Sequence, residues 1–119
     1  MASTTQEQLQ AAHKLRIEGQ YDDALAAYRE IVGADSSAAE AWWGLGLSLM
    51  NIGEFDEAIE TLTKACDLAA QTPKYWLDLG KLQTMLGMFD EAKPVFEKVV
   101  ELAPGSKEAD EAGNQLRYY

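Results

Sequence analysis

Gly53-Glu54-Phe55-Asp56-Glu57-Ala58 returns as Gly87-Met88-Phe89-Asp90-Glu91-Ala92, 34 positions further along a chain of 119 residues. The same offset taken backwards reaches Gly19-Gln20-Tyr21-Asp22-Asp23-Ala24. Outward from these segments, Trp42 and Gly46 return at the same spacing as Trp76 and Gly80. A constant period of this length marks a repeat array, in which each unit is one supersecondary element stacked on the next. Arrays of this kind present surfaces, which directs the functional question towards binding.

Each unit reads as two helices joined by a glycine turn. In the second unit the pattern predicts helix A from about Ala39 to Ile52 and helix B from about Glu57 to Ala69. Gly53 fits the left-handed position just past a helix end, and Asp56 fits the cap that opens the next helix. Gly19 with Asp22, and Gly87 with Asp90, repeat the arrangement. With Asp90 as cap, Pro94 falls in the first turn of the third B helix, where proline costs least.

These residues resemble the tetratricopeptide repeat. Its pattern of Trp, Leu-Gly, Tyr, Ala, Phe and Pro reads here as Trp76, Leu79-Gly80, Gln83, Ala92, Phe96 and Pro104. The middle unit reads Trp42, Leu45-Gly46, Leu49, Ala58, Leu62 and Ala70; the first is degenerate, with Gln8, Ala11-Ala12, Leu15, Ala24, Tyr28 and Ser36. The resemblance implies an all-α fold, a right-handed α-solenoid of antiparallel helix pairs with three repeats and about seven helices. The expected organisation is a flexible N-terminus at 1–4, repeats 5–38, 39–72 and 73–106 forming one domain, and a capping helix at 107–119.

Gly46, Gly80, Ala12, Ala24, Ala58 and Ala92 are small where two helices must approach closely. Trp42, Trp76, Tyr28, Leu62 and Phe96 supply bulk for the remaining space, with Leu45, Gly46, Leu49 and Ile52 on the scaffold face of the second A helix beside Trp42. Ala109, Ala112 and Leu116 share one helical face in the terminal segment, a cover for the last apolar surface, expected to fray beyond Leu116. Cys66, the one cysteine, lies among Leu62, Ala65 and Leu68 and reads as a small core residue.

The net charge of −10 opposes nucleic acid, whose phosphates require Lys and Arg patches, and equally opposes an anionic membrane surface. No apolar run approaches the roughly 20 residues that span a bilayer, and the first residues show no secretory signal pattern. The expectation is a cytoplasmic protein whose charge keeps it dispersed.

Placed at about 100° per residue, helix A carries a second face that the scaffold does not need. In the three units it comprises Gln6, Leu9, His13, Arg16 and Ile17; Glu40, Trp43, Leu47, Met50 and Asn51; and Lys74, Leu77, Lys81, Thr84 and Met85. The family resemblance implies that these positions line a concave groove for a peptide or helix. A tryptophan with two methionines makes an adaptable contact surface, and Arg16, Lys74 and Lys81 outnumber Glu40. The expected partner is a protein or peptide segment with apolar anchors and some acidic residues, docked helix-in-groove or extended. Family members that hold chaperone tails by a carboxylate clamp carry Lys, Asn, Asn, Lys and Arg where this chain has Leu9, His13, Gly44, Lys74 and Asp78. Only Lys74 agrees, so a clamp is not expected. A small chaperone for an aggregation-prone partner and a self-assembling homo-oligomer are the alternatives.

No catalytic residues, metal site or cofactor are expected. His13 is the only histidine, which leaves no His–His metal pair and no second base. The acid pairs Asp22-Asp23, Asp56-Glu57 and Asp90-Glu91 stand at helix starts, where they complement the helix dipole.

Overall fold

The computed structural model describes residues 4–119, and among these there are seven helices and no strand. They are α1 (Thr5–Ile17), α2 (Tyr21–Ala34), α3 (Ala39–Asn51), α4 (Phe55–Leu68), α5 (Pro73–Met85), α6 (Phe89–Leu102) and α7 (Lys107–Leu116). The chain packs as two compact units, one ending at Leu68 and holding α1–α4, the other spanning Ala69–Tyr119 and holding α5–α7. Of the N-terminal stretch 1–4, residues 1–3 lie outside the described residues. Thr4 is the cap of α1, its hydroxyl accepting from the Glu7 amide at 3.1 Å while the Glu7 carboxylate accepts from the Thr4 amide, a capping box.

The glycine turns are built alike in all three helix pairs. Gly19, Gly53 and Gly87 have φ of 83°, 86° and 77°, a region that a Cβ disfavours. Their amides reach Arg16, Met50 and Thr84, and the amides that follow reach Leu15, Leu49 and Gln83. This double bond pattern is a Schellman close, and it satisfies carbonyls that the helix end would orphan. It also corrects the expected caps. Because one residue suffices to leave the turn, α2 and α6 take Gln20 and Met88 as caps without side-chain hydrogen bonds, and α4 starts at Phe55. Asp22, Asp56 and Asp90 stand inside the first turn, where their charge still favours the helix N-terminus. Pro94 consequently lies deeper in α6 than the first turn. It offers no N–H to the Asp90 carbonyl four residues back; both residues are exposed, so water can serve that carbonyl.

In the first unit Ala12, Ala24, Ala58, Tyr28, Leu62 and Cys66 are fully buried. A Cβ at Gly46 would stand 2.7 Å from the Leu62 side chain, so α3 and α4 touch backbone against side chain there. Ile52, expected on the scaffold face, caps α3 and is exposed, because the chain turns away at Gly53. The second unit repeats the contact with Gly80, whose Cβ would meet the Phe96 ring at 2.9 Å. Leu77, Ala92, Phe96, Val99 and Ala112 form its core, with Trp76, Val100 and Leu116 packed against it. Burying Phe96 alone contributes about 1.5–3 kcal/mol. Trp42 and Trp76 each donate from Nε1 at 2.9 Å to a carbonyl six residues upstream, Ser36 and Ala70. The indoles therefore bind the start of helix A to the loop before it.

Helix α7 is capped by Ser106, whose Oγ accepts from the Ala109 amide at 3.0 Å, and it ends at Leu116. The chain beyond is held where fraying was expected. Tyr119 shares a 2.9 Å hydrogen bond with the Thr84 hydroxyl, and its ring meets Phe89 edge-on with centroids 6.1 Å apart.

Candidate functional site

In the first unit, α1 and α3 bring His13, Arg16, Glu40 and Trp43 together around the hydroxyl of a buried tyrosine from α2. Arg16 Nε donates to Tyr28 Oη at 3.2 Å, and the same oxygen contacts His13 Nδ1. On its other edge, His13 Nε2 is 2.8 Å from Glu40 Oε2. A carboxylate only accepts, so Nε2 of the neutral imidazole carries the proton and Nδ1 accepts from the tyrosine hydroxyl. Donor and acceptor then alternate consistently from Arg16 Nε through Tyr28 Oη and the two His13 nitrogens to Glu40 Oε2. Burial pushes the Tyr28 phenol above its ordinary pKa of 10.0, against an opposing pull from Arg16.

Trp43 sits within this framework. The Arg16 guanidinium lies 5.2 Å from the centre of its ring system, a cation–π contact, and the His13 ring meets it edge-on at 5.9 Å. Contacts of this type contribute about 0.5–1 kcal/mol at exposed sites, and here they also fix the orientation of the indole. Ile17 is 75% exposed, while Leu47 and Met50 are half-buried. Asn51 turns back on its own helix, donating from Nδ2 to the Leu47 carbonyl at 2.8 Å. Leu9 is buried and belongs to the packing of the unit, not to an open surface.

In the second unit α5 carries the equivalent residues. Leu77 is part of the core around Phe96, so it too leaves the expected surface. Lys81 is paired with Glu111 of α7 at 2.7 Å, and the Lys74 ammonium lies 5.8 Å from the Tyr75 ring centre. Thr84 is bonded to Tyr119, and Met85 is 58% exposed. Of the expected basic excess, Lys81 is answered within the protein by Glu111, while the one acid of the set, Glu40, is engaged by His13.

Sequence reasoning assigned Tyr28 to the scaffold and missed its hydroxyl as the hub of the site. The available signal was a tyrosine at the position that Leu62 and Phe96 occupy in the other repeats. Gly44, named in the sequence only as a position that departs from the clamp, is the residue whose missing side chain admits that hydroxyl: a Cβ there would stand 2.6 Å from Tyr28 Oη. Glu111 and Tyr119, from the terminal segment, carried no periodic signal at all. Among the described residues no three of His, Cys, Asp and Glu converge as a metal site, and no helix is long and apolar enough to cross a membrane.

Known proteins share this helix-pair geometry. One family model described as tetratricopeptide repeat matches residues 9–73, and another of the same description matches 73–106. No curated protein matches the chain in sequence. Among solved structures, the second TPR domain of human RPAP3 in complex with the HSP70 peptide SGPTIEEVD is 26% identical. That match covers 96% of this chain and 98% of that one, with a TM-score of 0.82. The TPR domain of P58(IPK) is 28% identical over 98% of this chain and 32% of that one, with a TM-score of 0.87. The Yersinia enterocolitica type III secretion translocator chaperone SycD is 18% identical over 98% and 90%, with a TM-score of 0.87. At that identity the likeness speaks for the fold alone, an all-α helical-repeat solenoid.

Proposed function

Because the chain belongs to the tetratricopeptide repeat family, we propose that it is a protein-interaction module that holds an apolar partner segment against the A-helix face of its first unit. The observation that carries this reading is the setting of Trp43. The indole is held by Arg16 and His13, which are themselves tied to Tyr28 and Glu40. An aromatic group fixed before the partner arrives loses little freedom on binding, which is what makes an efficient anchor. Ile17, Leu47 and Met50 extend the apolar surface beside it, and an acidic side chain on the partner would meet the Arg16 guanidinium.

The family's carboxylate-clamp mode is not part of the proposal. Leu9 is buried, Tyr28 stands over Gly44, and His13 is engaged with Tyr28 and Glu40. The peptide SGPTIEEVD, bound by the RPAP3 domain, should show no heat of binding to this chain in calorimetry. For the main reading the test is affinity purification from native extract with the wild type and with Trp43→Ala/Leu47→Ala. The double variant should keep its helical circular dichroism and lose the captured partner; undiminished capture by a folded double variant refutes the assignment.

A second reading, self-association, draws on different residues. In the second unit Phe89 is 53% exposed and Tyr118 is 89% exposed. Both line an open cavity of about 360 Å³ with Thr84, Gln115 and Tyr119. Sedimentation across a wide concentration range tests it, with Phe89→Ser/Tyr118→Ser expected to abolish any concentration-dependent association.

A further inference from the structure

We infer that the α1–α2 hairpin carries an open slot for a tryptophan side chain presented by another polypeptide. Gln8 and Ala11 of α1 and Ala27, Glu30 and Ile31 of α2 line a cavity of about 130 Å³. That is a little less than the roughly 150 Å³ that admits a whole benzene ring. The cavity is open on one side, however, so an indole can lodge part of its surface there and leave the rest outside, half-buried as Trp42 and Trp76 are.

What belongs in the slot is displayed by the chain itself. At the 34-residue period, Gln8 corresponds to Trp42 and Trp76, and Ala11 corresponds to Leu45 and Leu79. The correspondence holds in space. Trp76 packs against the core that contains Val99, and Val99 is the counterpart of Ile31, the buried floor of the slot. The first repeat therefore keeps the wall against which an indole packs, while the two side chains that would fill the space are reduced to Gln and Ala. The rim differs as well: Glu30 stands where the other repeats have Lys64 and Lys98. Trp42 and Trp76 each donate their indole N–H to a carbonyl. An incoming tryptophan would find its acceptor in the exposed Glu30 carboxylate, and the same negative charge favours basic residues flanking that tryptophan. A buried indole needs such a partner for its N–H, and this selects indole over a plain phenyl ring.

The slot lies apart from Trp43 and does not depend on that site being used. The probe is N-acetyl-tryptophanamide titrated into the isotope-labelled full chain and followed by amide NMR shifts. Saturable shifts are expected at residues 8, 11, 27, 30 and 31. N-acetyl-phenylalaninamide should bind about fivefold more weakly, the weight of one net hydrogen bond. Gln8→Trp fills the slot from within and should remove the shifts while raising the urea midpoint. Ala11→Leu, which restores the residue of the other two repeats, should do the same by a smaller change and covers the case in which Gln8→Trp fails to fold. No shifts at millimolar probe, equal shifts in the folded variants, or equal affinity for the two probes would each overturn the inference. Loss of probe binding on raising protein concentration would overturn it too, by showing that a second copy occupies the slot.

Discussion

Gly44 and Gly113 both lie inside helices, and the same substitution at each should move stability in opposite directions. At Gly113 in α7 a Cβ meets nothing within 4 Å, so Gly113→Ala gains only the helix propensity difference, about 1 kcal/mol. At Gly44 in α3 the Cβ would stand 2.6 Å from Tyr28 Oη, with ring carbons nearer still. Relaxed contacts need about 3.5–4 Å, so the ring tip must withdraw by roughly 1 Å. Tyr28 is fully buried and its hydroxyl is held by Arg16 and His13, so it cannot swing away freely. Overpacking costs about 1–3 kcal/mol, and a buried hydroxyl parted from its partners costs about 1–3 kcal/mol more. Subtracting the gain in propensity leaves a loss of about 1–5 kcal/mol, large against a total of about 5–15 kcal/mol. With a urea slope of about 2 kcal/mol/M, the midpoint should fall by about 0.5–2.5 M for Gly44→Ala and rise by about 0.5 M for Gly113→Ala. Tyr28→Leu, which installs the residue found at the equivalent Leu62, should make Gly44→Ala much less harmful, an interaction that a double-mutant cycle isolates. If Gly44→Ala were as benign as Gly113→Ala in the wild-type background, Tyr28 would not stand against α3 and the site around Trp43 would lose its hub.

Tyr28→Phe should flatten the alkaline limb of the stability curve. The native pKa is raised by burial, so the stability this confers is intact below pH 10 and lost as pH climbs through the native value; urea midpoints from pH 9 to 11.5 should fall less steeply in the variant. Asp35 behaves in the opposite sense: the Ser37 hydroxyl and amide hold its carboxyl below the ordinary value, so its contribution is present above about pH 4 and lost in acid, and Asp35→Asn should remove that loss in an acid titration followed by circular dichroism. Ser106→Ala removes the cap of α7 and should cost about 1 kcal/mol in urea unfolding. Lys81→Ala breaks an exposed pair with Glu111 and should change the midpoint by less than the equivalent of about 1 kcal/mol.

The helix pairs, the glycine turns and the close contacts at Gly46 and Gly80 were legible from the 34-residue period, because each follows from residues on one helix or across one turn. Helix register also separated Trp42, which ties helix A to the preceding loop, from Trp43, which faces the Arg16 guanidinium. The starts of the B helices were misplaced by two residues because the Schellman turn needs a single linking residue, and the aspartates serve the dipole without capping. Pairings between helices were not legible. Nothing in a one-dimensional pattern places Glu111 beside Lys81, or Tyr119 on Thr84, since those contacts depend on how α7 packs within its unit. Leu9 and Leu77 were read as surface because they sit off the tryptophan stripe. Burial on a helix in an array is wider than one stripe, since both its own partner and the next helix draw on it.

The departures from the period are therefore more informative than its observance. Positions that repeat faithfully (Gly46 and Gly80, Ala58 and Ala92, Trp42 and Trp76) are accounted for by packing alone. The first repeat departs at Gln8, Ala11 and Tyr28, and each departure has a spatial consequence within one unit. Gln8 and Ala11 leave the slot beside Ile31 open. Tyr28 adds a hydroxyl where Leu62 and Phe96 have none, and that oxygen, admitted by Gly44, organises Arg16 and His13 around Trp43. A degenerate repeat weakened only by drift would show truncations scattered over the core. Here Ala12, Ala24, Tyr28 and Ile31 all stay buried, the loss of bulk is confined to Gln8 and Ala11 lining the slot, and the hydroxyl gained at Tyr28 is met by Arg16 and His13.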